Sequence, residues 1–392
     1  MSLPRIHLLT PHLLPGDAVS RDVLAMLSWF RKRGHAAEAY AEWVHPTLVH
    51  TARPIGAYES YVSSRDDIVI CHHSGGWPLG LTFWRLTRNR RVLRYHNVTP
   101  PRFFQAYCPS TADSCRIGEE QTQFMLRFDT ALLLPDSEFN ARALEQIAPR
   151  RRCRVVPPFH AVDELEREPL DLELAERMRG AVNLLFVGRV APNKGFQHLI
   201  RVFALLQRSW DRPMRLFAVG GLDPKLQSYH DELRREIAAR GLVRHVQFTG
   251  KVSSGQLATY YRCTNFFLCM SEHEGFCVPL VEAMALRLPI VAYAGGAVPS
   301  TLGRYGLHWE ALDPVLIAKS IRQIQEKPRL RESLIRRQRE HYEQHYAPQA
   351  IERLFAEAMG ELLGHPPTRE PTASRQQSLR KQTDLLAAAT VR

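Results

Sequence analysis

The sequence predicts an α/β protein assembled from two doubly wound units, and three observations carry that prediction. Short apolar runs alternate with longer amphipathic ones, the pattern of parallel strands covered by helices on both faces. The alternation breaks at Val155-Val156-Pro157-Pro158 and restarts at Asn183. The 392 residues suffice for two or three domains, and 45% hydrophobic with 23% charged residues is close to the globular average.

Taken in order, Arg5 to Leu9 reads as a first strand and residues 10–16 as a loop. A helix follows from about Val19 to Arg33 and stops at Gly34-His35. Asp67–Cys71, Val92–Tyr95 and Ala131–Leu134 read as further strands, and Ser137 is placed to cap a helix over 140–147. After the proline-rich segment, which predicts a hinge near 156–175, a charged helix spans Asp163–Arg179. The second set of strands is 183–188, Leu216–Val219, Val246–Thr249, Phe266–Met270 and Ile290–Tyr293. Helices are expected over Pro314–Glu326, Arg331–Gln344 and Pro348–Leu363. The last stretch, 366–392, is rich in Pro, Thr, Ser, Gln and Arg and is expected to be disordered.

No apolar run approaches the ~20 residues of a membrane span, and the first ten residues do not read as a secretory signal. Seven scattered cysteines with no C-x-x-C argue against a disulfide framework or structural zinc and for a reducing, cytoplasmic setting. With 52 basic and 40 acidic residues the net charge is +12. Such a surplus suits nucleic acid, an anionic membrane face or a phosphorylated substrate. Nucleic acid is disfavoured because the basic residues form no recognisable module.

Two constellations concentrate the chemistry. Gly188-Arg189-Val190-Ala191-Pro192-Asn193-Lys194-Gly195 follows a buried strand and leads into a helix. Gly188 lets the backbone approach a ligand, while Arg189 and Lys194 offer a fork and a compact cation suited to a diphosphate. Ser271-Glu272-His273-Glu274-Gly275-Phe276-Cys277-Val278-Pro279 also follows a strand. Pro279 fits a first helical turn, so the amides of Phe276, Cys277 and Val278 should project from a helix start as an anion site. Glu274 and Glu282 cannot both serve a phosphate and should address hydroxyls. Together these features describe a sugar nucleotide.

The motif Gly-Arg-x4-Lys-Gly with Glu-Gly-Phe-x-x-Pro-x-x-Glu-Ala-Met resembles the retaining glycosyltransferases of the GT-B fold, family four. Their two glutamates, with seven residues between them, are met here by Glu274 and Glu282. Pro15-Gly16-Asp17, Tyr95-His96-Asn97-Val98-Thr99-Pro100 and Asp136-Ser137-Glu138-Phe139-Asn140 resemble the family's N-terminal segments, and the likeness runs to about residue 363. It implies two Rossmann-like domains facing across a cleft: an acceptor-binding domain at 1–165, a nucleotide-sugar-binding domain at 166–347, and a helix over 348–365 crossing back to the first. It further implies that Arg189 and Lys194 bind the donor diphosphate, that Glu274 contacts the donor sugar and that Glu282 contacts the ribose. His96 is expected near the anomeric centre, Gly16 near the phosphates, and Gly250 and Val252, on either side of Lys251, against the base. Cys277 stands where glycine is common, Arg287-Leu288 replaces a frequent small-Gly pair, and Ser300 stands where an acidic residue is often found.

The expected reaction is metal-independent transfer with retention from a UDP-, GDP- or ADP-sugar, with no cofactor, to a saccharide or lipid-linked acceptor in surface polysaccharide biosynthesis. Cations and helix amides would stabilise the charge growing on the leaving diphosphate. A soluble small-molecule or glucan acceptor, and a non-catalytic nucleotide-sugar-binding subunit, remain alternatives. A nicotinamide oxidoreductase is disfavoured, because the first strand lacks a G-x-G-x-x-G turn. His72-His73-Ser74-Gly75-Gly76-Trp77 reads equally as an acceptor element or a structural turn. Residues 1–160 hold 20 basic and 14 acidic residues, which favours an anionic membrane face or a lipid-diphosphate acceptor at the N-terminal domain.

Overall fold

The computed structural model describes residues 3–61 and 64–364; the expected disorder of 366–392 lies outside the described residues. The first unit runs β1 (Ile6–Leu13), α1 (Ala18–Lys32), β2 (Ala37–Val44), β3 (Arg53–Pro54), β4 (Ile68–His73), α2 (Pro78–Leu86), β5 (Arg90–Tyr95), α3 (Pro109–Met125), β6 (Leu132–Pro135) and α4 (Glu138–Ile147). Two short helices, α5 (Val162–Arg167) and α6 (Leu172–Met178), lead into the second unit. That unit runs β7 (Val182–Val187), α7 (Phe196–Ser209), β8 (Met214–Val219), α8 (Gln227–Ala239), β9 (Val246–Gly250), α9 (Ser254–Cys263), β10 (Phe266–Cys269), α10 (Val278–Ala285), β11 (Ile290–Tyr293), α11 (Val298–Leu302), β12 (Leu307–Trp309), α12 (Pro314–Glu326) and α13 (Pro328–His345). The chain continues as α14 (Pro348–Gly360).

Among the described residues the strands form two parallel sheets, ordered β3-β2-β1-β4-β5-β6 and β12-β11-β10-β7-β8-β9. Both follow one scheme: the chain moves outward from a central strand, returns, and moves outward on the other side. The reversal falls between β1 and β4 in the first sheet and between β7 and β10 in the second. Such switch points open a crevice beyond the carboxyl ends of the strands, where ligands bind. The loops after β7 and β10, which carry both constellations, therefore flank one crevice.

Strand alternation splits the first core in two. Ile6, Leu8, Ile68, Ile70, Val92, Leu132 and Leu134 face α1 and α14, while Leu9, Val69, Cys71, Leu93 and Leu133 pack with Trp84, Met125 and Leu144 on the other side. On α14, Ile351, Phe355, Ala358 and Met359 are buried in the first core, and Phe355 meets Trp29 and Phe30 edge-on. On α5, Val162 and Leu165 sit in the second core. The first unit is pinned internally by a buried ion pair: Arg94 Nε donates to Asp22 Oδ2 at 2.8 Å and its Nη1 to the Val156 carbonyl at 2.6 Å. The Phe159 amide donates to Asp22 Oδ1 at 2.8 Å, fixing the linker to α1 and β5.

The single helix expected over Asp163–Arg179 is two helices. Pro169 lies between them, where its missing N–H and fixed φ stop a helix, and Asp171 restarts the next one by accepting from the Leu174 amide at 3.0 Å. Among the described residues, no helix is long and apolar enough to cross a membrane.

Candidate active site

The loop after β7 leaves the sheet at Gly188, whose φ is +152°, and turns through Pro192–Lys194 into α7. Gly195 closes that turn with φ +63°, and a Cβ there would stand 2.0 Å from the Met270 carbonyl oxygen. Only glycine lets this loop approach the end of β10. Asn193 ties the two loops together: its carbonyl accepts from the amides of Glu272 and His273, and its Nδ2 donates to the His273 carbonyl at 3.1 Å. Lys194 and Glu274 are thus brought together, with Nζ 2.8 and 2.7 Å from the two carboxylate oxygens and only 18% and 7% of the side chains exposed. Arg189 is exposed on the same loop, has no ion-pair partner among the described residues, and lies near enough to α3 to act on the Cys115 thiol.

The loop 271–277 after β10 is braced from behind. The Ala297 amide donates to the Glu274 carbonyl, and Thr301 Oγ1 donates to that of Phe276 at 2.6 Å. Cys277 caps α10 in the left-handed region, φ +75°, which explains why glycine would suit this position. Among the described residues, the amides of Phe276, Cys277 and Val278 have no hydrogen-bond partner. They form a donor group at a helix start, beside the Lys194 ammonium. Glu282, one turn into α10, accepts from the Tyr261 hydroxyl at 2.6 Å. Burial raises its carboxyl pKa, with Arg21 of α1 and the tyrosine partly offsetting this. Gly250 ends β9 with φ +72°, Val252 follows half-buried, and Gly16 sits exposed with φ +74° before the Asp17 cap of α1.

The first unit meets this loop at Gly275. A Cβ there would lie 2.6 Å from the His96 carbonyl oxygen and 2.6 Å from the Asn97 Cβ. Ser137 Oγ donates to the Gly275 carbonyl at 2.6 Å. His96 contributes backbone here, not its ring. The imidazole is turned into the first unit, its Nε2 3.0 Å from His72 Nδ1 and its Nδ1 3.5 Å from Asp136 Oδ2. Asn97, itself left-handed at φ +77°, crosses the seam instead. Its Nδ2 donates to Asn140 Oδ1, and its Oδ1 lies 2.6 Å from His273 Nε2, both contacts at 2.6 Å. Burial lowers the His273 pKa to about 4, so this ring is neutral and donates through Nε2–H.

Asn97, Asn140 and His273 had no role in the reading of the sequence, although all three lie inside the segments quoted there. An αL-tolerant asparagine two residues after a strand end is the signal that could have marked the seam. His73, from the ambiguous histidine pair, is structural: its Nε2 donates to the Gly118 carbonyl at 3.1 Å and lies 2.8 Å from Thr122 Oγ1.

Comparison with known proteins adds the decisive observation. The sequence profile described as "Glycosyl transferases group 1" matches residues 179–341. Residues 179–341 are thus similar to this family. A D-inositol 3-phosphate glycosyltransferase of Jonesia denitrificans is 27% identical over 245 residues, covering 59% of this chain and 57% of that protein. A GDP-mannose:cellobiosyl-diphosphopolyprenol alpha-mannosyltransferase of Xanthomonas oryzae pv. oryzae is 39% identical over 111 residues, 28% of each chain. The alignments thus span only part of the curated relatives' length. The structure of the Anabaena protein HepE in complex with UDP and glucose superposes with TM-score 0.70 at 17% identity, over 91% of this chain and all of that one. The fold of the described chain is GT-B, and the segment matched by the group 1 profile contains Arg189, Lys194, Glu274 and Glu282.

Proposed function

We propose that the protein is a retaining, metal-independent glycosyltransferase. In this reading it moves a sugar from a nucleoside-diphosphate sugar to a saccharide or lipid-linked acceptor in surface polysaccharide assembly. The observation that carries the reading is the convergence of Lys194, Glu274 and three unpartnered amides on the crevice between the two units.

Breaking a glycosyl–diphosphate bond builds negative charge on the leaving oxygens. Arg189, Lys194 and the amides of 276–278 supply positive groups that need no reorganisation. Glu274 is a hydroxyl acceptor once Lys194 turns toward phosphate, and Glu282 keeps one oxygen on Tyr261 with the other left for a ribose hydroxyl. The Asn97–His273 and Ser137–Gly275 contacts hold the first unit over the donor loop.

A relative named for a diphosphopolyprenol acceptor supports a lipid-linked acceptor, and one named for D-inositol 3-phosphate supports a soluble one. The basic balance of residues 1–160 favours the former. The test is a thermal-shift screen of sugar nucleotides followed by turnover assays. A donor at 100 times its dissociation constant adds about 2.7 kcal/mol. Absence of any shift and any turnover, with unchanged glycans in cells carrying Glu274→Ala, would refute the reading. Release of the protein from membranes at high salt would select the lipid-linked acceptor.

A further inference from the structure

Behind the donor loop stand two thiols that the proposed reaction does not use. Cys269 ends β10 with no exposure, and Cys277 caps α10 with 8%. Their sulfurs and a carboxylate oxygen of Glu274 all lie within 4.8 Å of one another. The Cys269 thiol donates to Ser271 Oγ at 3.6 Å. Cys277 holds its side chain in a left-handed conformation that favours glycine, so the thiol is kept where the backbone argues for no side chain.

We propose that Cys269, Cys277 and Glu274 form a binding site for a thiophilic divalent cation of the zinc or cadmium class, and that filling it draws Glu274 away from Lys194. A tetrahedral site with metal–sulfur bonds of ~2.3 Å and metal–oxygen bonds of ~2.0–2.2 Å brings its ligand atoms roughly 3.4–3.8 Å apart. The three atoms need to move by about an ångström to reach that geometry. Two thiolates with one carboxylate select a soft cation over magnesium, calcium or manganese. Binding releases the two thiol protons to solvent, and one water completes the four ligands.

The other dense cluster among the described residues, Asp22 with His72 and His96, does not compete. Arg94 already holds both Asp22 oxygens, at 2.8 and 3.4 Å, and its charge repels a cation. At the cysteine site the competing charge is Lys194, which is flexible, is 18% exposed and can turn into the crevice. A cation on Glu274 therefore removes the carboxylate assigned to the donor sugar. Only this consequence rests on the proposed transfer reaction.

The test titrates the full, reduced chain with cadmium chloride and follows the ultraviolet cadmium–thiolate charge-transfer band. The expected result is saturation at a single equivalent, with at least tenfold weaker binding in both Cys269→Ala and Cys277→Ala and no change in Cys115→Ala or Cys263→Ala. Circular dichroism of each variant, and Cys269→Ser as a second replacement, separate loss of the ligand from loss of the fold. A band of unchanged midpoint in folded Cys269→Ala and Cys269→Ser, or no saturable band, overturns the site. Saturating sugar nucleotide should weaken cadmium binding several-fold; unchanged affinity with the nucleotide bound overturns the coupling through Glu274. If no sugar nucleotide binds, the reaction assignment fails while the cadmium titration still judges the site.

Discussion

Arg94 and Asp22 have no exposed surface, and each satisfies a charge that the other would otherwise leave stranded. Removing one partner of a buried pair costs ~3–5 kcal/mol. Asp22→Ala is expected to lower the urea unfolding free energy by about that amount, more than any exposed pair such as Arg116–Glu120 can contribute. His73 sets a pH dependence. Burial depresses its pKa to about 4, against ~6.5 in the unfolded chain. As pH falls below about 6.5 the unfolded chain takes up a proton that the folded chain refuses. Stability is therefore lost progressively from pH 6.5 down to 4, by roughly 3 kcal/mol for this group. Denaturant midpoints measured across that range should fall, and fall less in His73→Gln. In the crevice, Lys194→Met should reduce kcat by about 10²–10³ with the fold retained, as steady-state kinetics and circular dichroism would show.

At the scale of elements, the loop 271–277 is where the two units touch, and Gly275 is the point of closest approach. Gly275→Ala pushes a methyl into the His96 carbonyl oxygen at 2.6 Å, so the seam must open. The expected outcome is a drop of at least tenfold in kcat/KM with an increased radius of gyration by small-angle scattering, and little change in melting temperature. The strands legible in the sequence were β1 and β4 to β11, most of them through a short apolar run. The β2 strand, AEAYAEWV, was not, because alanine and glutamate favour helix and only pairing with β1 makes this segment extended. The three residues of β12 are too few for a pattern. The candidate donor-site residues were legible as two contiguous segments around Lys194 and Glu274, which the structure brings together. The seam was not, because Asn97, Asn140 and His273 come together only when two units dock.

For the whole molecule, α14 is the join. It follows the second unit in sequence and buries Ile351, Phe355 and Met359 in the first. At ~1.5–3 kcal/mol per large side chain, these three and Leu362 and Leu363 contribute on the order of 10 kcal/mol. Truncation after residue 347 should therefore leave Trp29, Phe30 and Phe159 uncovered, and yield aggregated or dye-binding protein rather than a folded pair of domains. There is a further consequence for the order of events in synthesis. A nascent chain cannot close its first core when β6 leaves the ribosome, because the covering helix is still ~210 residues away at the rates of domain-wise folding on the ribosome. The second unit must be made, and can be folded, while the first waits with an open apolar face. That reverses the usual N-to-C sequence of domain completion.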